Sequence, residues 1–471
     1  MSYARKTKII ATMGPACADR QILRDMVNAG MNVARFNMSH STHDEHLKRI
    51  NLVKEVRREL AIPVALMLDT RGPEIRLGKF VGDSVEVKAG SEFRLIGTET
   101  EGDSKHASVT CPDFAKMVAP GNVLLMNDGL IKMQVKKIDG DDIVLDVLIG
   151  GTLSNHKSIN VVGVHLGMPY LSEQDKKDIL FGIKQGADYV AASFVSCGDD
   201  VRVLKNFLLQ NGGENIEIIA KIESGTGIDN IDEIIALADG IMIARGDLGV
   251  EIPMEALPSI QKSLIKKARA AGKRVITATE MLESMIYKPR PTRAETSDVA
   301  NAVYDGTGAV MLSGETAAGN YPVQAVKAMS DIAAYTEQAI HYRKRFAITD
   351  YEIESIADAV CASAVKASYD LAAQAIVVAT RSGKTAKLIS GFRPSCPIIA
   401  VTRHESTYHK MALTWGVQPI LAADQPEATH AAASQATNIA KYFNLVHKGD
   451  TIVAVASTGI EDANTLTIDR V

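Results

Sequence analysis

The chain has 471 residues, 46% of them apolar and 23% charged, with a net charge of −4 and a pI near 6.3. That is too long for one compact core and too apolar for disorder, so two or three domains are expected. The charge attracts neither nucleic acid nor an anionic membrane, and no apolar run approaches the roughly 20 residues of a membrane span. Five scattered cysteines (Cys17, Cys111, Cys197, Cys361 and Cys396) show no C-x-x-C. They argue for a reducing, cytoplasmic setting and against a disulfide framework or zinc site.

Short apolar runs rich in β-branched residues recur along the chain. They lie at 8–12, 33–37, 64–70, 189–194, 216–223, 240–245, 274–279 and 309–313. Amphipathic stretches such as "DRQILRDMVNAG" and "IDNIDEIIALA" separate them, and several close on Gly, the favoured residue just past a helix. Near-continuous apolarity marks strands covered on both faces. Eight alternating strand–helix units favour a closed (β/α)8 barrel over an open doubly wound sheet, because eight is the closing number.

One interval breaks the rhythm. Between the third and fourth runs lie "SVEVKAG", "FRLIG", "NVLLMNDG" and "IKMQVKKIDGDDIVLDVLIGG", alternating strands joined by Gly and Asp-Gly turns. Residues 72–167 are therefore expected to form a small inserted β-barrel domain, a lid over the barrel face it springs from. The barrel would comprise 1–71 and 168–340. After "AAYTE" the pattern resets: 352–375 reads as one long helix, followed by "AIVVAT", "PIIAVT", "QPILA" and "TIVAVAS". Residues 341–471 are expected to form a separate α/β domain.

In such a barrel, chemistry sits at the C-terminal ends of the strands. Those ends carry Arg35, Asn37, Ser39 and His40; Asp69 and Thr70; Lys221 and Glu223; Arg245, Gly246 and Asp247; Thr277 and Thr279; and Ser313 with Glu315. One strand-end Asp is ordinarily a turn or cap. The coincidence of several such ends, against N-terminal ends expected to lack them, is the functional signal. Carboxylates on the adjacent fifth and sixth strands suit a hard divalent cation. A Lys and an Arg beside it suit a phosphorylated anion. Gly246 permits close backbone approach. Asn37, Ser39, Asp69 and Thr70 make an all-oxygen set with one charge, a cage for a monovalent cation.

In the C-terminal third, "VVATRSGKTAK" places Thr380, Arg381, Ser382, Gly383, Lys384 and Thr385 between a strand and a helix. Hydroxyls, glycine and lysine at a helix start form an anion nest. A simple helix cap would use one hydroxyl. The loop 457–464 follows another strand and is placed to close over the same ligand, with Glu461 and Asp462 as opposing charges. A P-loop reading fails, since Val378 stands where the first glycine belongs.

The motifs "MNVARFNMSH", "LMLDTRGPEIR", "IIAKIES", "GIMIARGDLGVEIP", "TATEMLESM" and "PRPTRAETSDVANAVYDGTGAVMLSGETAAGNYP" resemble the pyruvate kinases, nearly end to end. The resemblance implies phosphoryl transfer from phosphoenolpyruvate to ADP, giving pyruvate and ATP, by a barrel with an inserted lid and a C-terminal regulatory domain, as a homotetramer. It implies Glu223 and Asp247 as ligands of Mg2+ or Mn2+, Lys221 as stabiliser of the phosphoryl group in transit, and Arg35 as a phosphate contact. Thr279 with the Gly246–Asp247 backbone would hold the substrate carboxylate. Asn37, Ser39, Asp69 and Thr70 would hold K+; Arg76, Lys157, His40 and Asn37 would face the nucleotide. Glu74 matches K+-dependent members. The loop at 380–385 matches the place where many members hold a sugar-phosphate activator. Arg71 and Ser41 replace the family's frequent Lys and Gly, in neither case at a site position. A chain ending in "NTLTIDRV" is expected to lack the extra C-terminal domain of some relatives. Two other readings compete: a different Mg2+-dependent barrel enzyme acting on phosphoenolpyruvate or a 2-oxo acid, and a silent metabolite sensor, which would be expected to lose Lys221, Glu223 or Asp247.

Overall fold

The computed structural model describes residues 5–127, 129–164, 166–349, 351, 353–422, 432–457 and 463–471. Eight parallel strands close into a barrel: β1 (Lys8–Thr12), β2 (Val33–Asn37), β3 (Ala65–Asp69), β4 (Tyr189–Ala192), β5 (Glu217–Ile222), β6 (Gly240–Ala244), β7 (Arg274–Ala278) and β8 (Ala309–Leu312). Each pairs with its sequence neighbours, and β8 closes onto β1. Their side chains alternate between two buried environments. Ile10, Met67, Tyr189, Ile219, Met242, Ile276 and Met311 fill the interior, while Ile9, Leu66, Val190 and Ile243 pack outward against the helices. Burial on both faces explains why the runs lack a polar stripe.

Local signals set the helix boundaries. Helix α1 (Arg20–Ala29) starts where Asp19 accepts hydrogen bonds from the amides of Gln21 and Ile22. It stops at Gly30, whose φ of 117° only glycine adopts cheaply. Later in the chain come the helices α2 (Arg245–Glu251), α3 (Leu257–Ala270) and α4 (Lys384–Gly391). No helix among the described residues is long and apolar enough to cross a membrane.

Between β3 and β4 the chain forms a seven-stranded, mainly antiparallel sheet and a separate pair, Ser84–Val87 with Gly151–Ser154. Its core includes Phe93, Leu95, Met133 and Leu145. The bridge between Leu77 and Val109 ties the sheet's two edges. Hydrogen bonds from Gly78 N to Ser108 O (2.8 Å) and Thr110 N to Arg76 O (2.9 Å) flank it, so the sheet curls into a small barrel.

The C-terminal sheet has the strands β9 (Ala375–Ala379), β10 (Ile398–Thr402), β11 (Val417–Leu421), β12 (Thr451–Ala456) and β13 (Thr465–Arg470). The first four are parallel; β13 is an antiparallel edge strand absent from the sequence reading. The helix expected over 352–375 is shorter, Ile356–Asp370, capped by Ser355 and stopped where Ala372 takes a left-handed φ of 49°. This domain plugs the barrel's N-terminal end. Ala412 and Leu413 join the interior cluster, and Tyr189 Oη donates to Lys410 O at 2.6 Å.

Candidate active site

The C-terminal ends of the strands meet in one continuous polar chain. Thr12 Oγ1 accepts from Arg35 Nη1 at 2.8 Å, and Arg35 Nε reaches Asp69 Oδ2 at 2.6 Å. The other Asp69 oxygen accepts from Lys221 Nζ at 3.1 Å. Lys221 also contacts Glu223 Oε1 at 2.9 Å, and Glu223 Oε2 accepts from Phe194 N at 2.6 Å. Five strands thus contribute to one network. Arg35, Asp69, Lys221 and Glu223 are each at least nine-tenths buried.

The charges in this network are unequally served. Burial opposes the Lys221 ammonium, yet Asp69 and Glu223 together overcome it and raise its pKa. Lys221 therefore stays protonated across any working pH. Glu223 has one cation partner. Burial, reinforced by the nearby Asp247 carboxylate, lifts it to about 7 despite Lys221. Asp247 sits in the first turn of α2 and is exposed; among the described residues no donor hydrogen-bonds to it. Two carboxylates, one buried and starved of positive charge and one open, are a donor set that a divalent cation would complete. No group of three or more His, Cys, Asp or Glu side chains with metal-site geometry occurs among the described residues. A cation here would take its remaining ligands from water or substrate, as Mg2+ commonly does.

Asn37 and Asp69 are register partners on β2 and β3, with Thr70 one step beyond. Asn37 Oδ1 accepts from Ser39 N at 3.1 Å, and Thr70 Oγ1 accepts from Ser193 N at 3.1 Å. The set is all oxygen, and its one charge, Asp69, is shared with Arg35 and Lys221.

Thr279 adopts a left-handed φ of 66°, unusual for a β-branched residue. Arg245 holds it there by donating to the Thr279 carbonyl from Nε (3.2 Å) and Nη2 (2.6 Å), while its Nη1 grips Asp298 at 2.7 Å. Thr279 Oγ1 accepts from Gly246 N at 2.7 Å. A Cβ at Gly246 would lie 3.5 Å from that oxygen, an ordinary contact, so the protein alone does not demand glycine there.

Two expected mouth charges are therefore structural. Arg245 braces Thr279, and Glu315 is buried with its oxygens on the amides of Leu282 (3.1 Å) and Ser313 (2.7 Å). Thr277 also turns away, donating to Thr307 Oγ1 at 3.0 Å. Ser193, which sequence reading overlooked, belongs to the site. Its Oγ accepts from Lys221 Nζ at 2.7 Å and donates to Thr70 O at 2.7 Å. It is the first residue beyond β4, so the strand-end rule marks it.

Arg76 pairs with Glu74 at 2.7 Å and donates to His156 O at 3.0 Å. Lys157 precedes the strand whose Ser158 is the register partner of Arg76. Burial, then the charges of Arg76, Arg35 and Arg71, lower the His40 pKa. The inserted sheet thus brings Arg76 within electrostatic reach of His40, with Lys157 beside it at the start of the neighbouring strand. Asn160 Nδ2 also reaches Glu251 of α2 at 3.4 Å.

In the C-terminal domain, Thr380 Oγ1 accepts from Gly383 N at 3.0 Å and Ser382 Oγ from Lys384 N at 3.4 Å. Gly383 has φ 84° and caps α4. Thr385 is buried, and Arg381 O accepts from Thr407 Oγ1 at 2.9 Å. Two of the loop's hydroxyls therefore build the turn itself. Glu461 and Asp462 of the second loop lie outside the described residues.

Residues 4–326 match the family described as "Pyruvate kinase, barrel domain", and residues 358–469 match "Pyruvate kinase, alpha/beta domain". The chain is 46% identical to a pyruvate kinase of Clostridium acetobutylicum, covering 96% of each chain. It is also 46% identical to one of Geobacillus stearothermophilus, covering 99% of this chain and 80% of that one. A crystal structure of a pyruvate kinase from Cryptosporidium parvum superposes with a TM-score of 0.92 at 38% identity, covering 99% and 96%. By fold, by the order of its motifs and by these likenesses, the chain belongs to the pyruvate kinase family.

Proposed function

We propose that the chain transfers the phosphoryl group of phosphoenolpyruvate to ADP, forming pyruvate and ATP as the last step of glycolysis in the cytoplasm. The observation that carries this reading is Lys221: buried, permanently charged, and held between two carboxylates and a hydroxyl at the barrel mouth. Phosphoryl transfer needs positioned cations more than a nucleophile, and this mouth offers Lys221 and Arg35 without an activated nucleophile.

Arg35, locked by Thr12 and Asp69, faces the substrate phosphate as a preset fork. Lys221 neutralises charge on the phosphoryl group in transit and then on the enolate oxygen. Thr279, Gly246 and the α2 start receive the carboxylate end of the substrate. Glu223 and Asp247 would hold Mg2+ or Mn2+, which supplies charge neutralisation to the phosphoryl oxygens. Asn37, Ser39, Asp69 and Thr70 would hold K+, with Glu74 in the position that K+-dependent members share. Arg76, Lys157, His40 and Asn37 meet the nucleotide, with the inserted domain (72–167) as lid over the barrel (1–71, 168–340). The remaining domain, 341–471, is regulatory: residues 380–385 bind a sugar phosphate, and the active species is a homotetramer.

One coupled assay tests these roles together. Pyruvate should form from phosphoenolpyruvate and ADP only with Mg2+, and turnover should fall when a bulky organic cation replaces K+. A sugar phosphate should lower the half-saturating phosphoenolpyruvate concentration, and Lys384→Ala with Thr385→Ala should remove that response alone. Absence of ADP-dependent pyruvate formation would sink the activity, and full turnover without K+ would sink the monovalent site.

A further inference from the structure

At the barrel's other end, a cavity of about 30 Å3 lies between the N-terminal ends of β7 and β8 and the C-terminal domain. Five cations line it: Arg269, Lys273, Arg274, Lys387 and Arg393; no carboxylate does. Arg274 pairs with Glu217, and Lys387 lies 3.9 Å from Asp239. Arg269 and Arg393 have no ion-pair partner among the described residues. Arg393 donates to Gly306 O at 3.0 Å and stacks 4.3 Å above the Trp415 ring. Arg269 packs against the same glycine. The Nε atoms of Arg269 and Arg274 are buried without an acceptor.

Arg393 is buried, and Arg269, Lys273, Arg274 and Lys387 are half-buried around the cavity. Buried cations need opposite charge, and buried N–H groups need acceptors. Burial, then Arg269, depresses Arg393 to about 9; burial, then Arg274, depresses Lys387 to about 8. The cavity exceeds the roughly 10–15 Å3 that one water needs. A small oxyanion would supply the missing charge and several acceptors in the paired geometry that guanidinium groups favour.

We propose that this cavity binds a phosphate-type dianion, as inorganic phosphate or as the phosphate group of a small metabolite. Arg269 and Arg274 grip it from the barrel, Lys387 and Arg393 from the C-terminal domain, so the anion ties the two together. Helix α4 begins at the loop 380–385 and ends at this cavity, so the occupant also steadies the helix that carries that loop.

Selenate, an anomalously scattering stand-in for phosphate, tests the site directly in crystals of the full chain. The wild type should show an anomalous peak among Arg269, Lys387 and Arg393. Arg269→Gln with Lys387→Gln should lose that peak and keep any peak at 380–385. In solution, on a Lys384→Ala background that silences the loop, inorganic phosphate should raise Tm with a Kd of about 1 mM or tighter. The double variant should bind at least tenfold more weakly, and chloride at equal ionic strength should not substitute. A ribose 5-phosphate arm separates the sources: tighter binding than inorganic phosphate assigns the site to a metabolite, and equal or weaker binding to the free ion. No peak in wild-type crystals, or an unchanged phosphate response in the double variant, overturns the proposal.

Discussion

The two ends of this barrel are both rich in charge, and they handle it differently. At the N-terminal end most carboxylates are spoken for by a neighbour. Asp188 accepts from Leu66 N at 2.8 Å, Asp239 from Ile218 N at 3.0 Å, and Glu217 pairs with Arg274. At the C-terminal end, Glu223 is short of positive charge, Asp247 lies open, and one ammonium is shared by two acids. Charge density alone does not separate structure from function; the state of each partner does. Acids satisfied within the protein hold the fold. Acids left wanting mark a place for an ion or substrate.

The sharpest break in this comparison is Lys221→Ala. We expect kcat to fall about 10^3-fold or more, as when a preorganised charge is removed from a transition state. Turnover should be read after circular dichroism shows a folded chain. A loss under tenfold would make Lys221 a structural cation like Arg245. The mirror test is Arg274→Met, which strands the half-buried Glu217. It should cost about 3–5 kcal/mol in denaturant unfolding while kcat per folded molecule holds. A selective loss of kcat there would erase the distinction between the ends.

Much of this was legible beforehand. The eight apolar runs became the eight strands because burial on both faces leaves a plain mark. Arg35, Asp69, Lys221 and Glu223, picked from strand ends, are joined by direct contacts. What sequence could not show was direction. Arg245 and Glu315 also follow strands, but one turns to Asp298 and the other to backbone amides. Ser193 is hidden in sequence because the apolar run 189–194 continues past Ala192, where the strand ends. The N-terminal ends were expected to be plain, yet Arg274 and Glu217 open their strands, and Asp188 and Asp239 sit one residue before theirs. Such residues read as turn formers until the C-terminal domain is seen packed on them. The edge strand β13, largely exposed, lacks the apolar run that marked the others.

Ser193→Ala sharpens the account at a finer scale. Removing the hydroxyl that holds Lys221 should lower kcat about tenfold and leave KM unchanged, as second-layer substitutions commonly do. A raised KM with kcat intact would make Ser193 a substrate contact instead. A test that leaves catalysis aside concerns His409, at the seam of barrel and C-terminal domain. Burial, then Arg57, lowers its pKa from 6.5 to about 3. Above 6.5 it is neutral in both states and has no effect. Below 6.5 the unfolded chain takes up a proton that the folded chain refuses. Stability should fall from pH 6.5 toward 3, by at most about 1.4 kcal/mol per unit from this group. His409→Gln should flatten that slope in urea titrations between pH 6 and 5, and an unchanged slope would place the acid sensitivity elsewhere.

The carboxylates of the mouth are left wanting a divalent cation. Titrating Mn2+ by electron paramagnetic resonance tests it most directly. The wild type should bind one ion per chain, more tightly with phosphoenolpyruvate present. Asp247→Ala should bind it at least tenfold more weakly and lose turnover, whereas Glu315→Gln should bind it normally. Unchanged Mn2+ affinity in Asp247→Ala, with turnover preserved, would contradict the account.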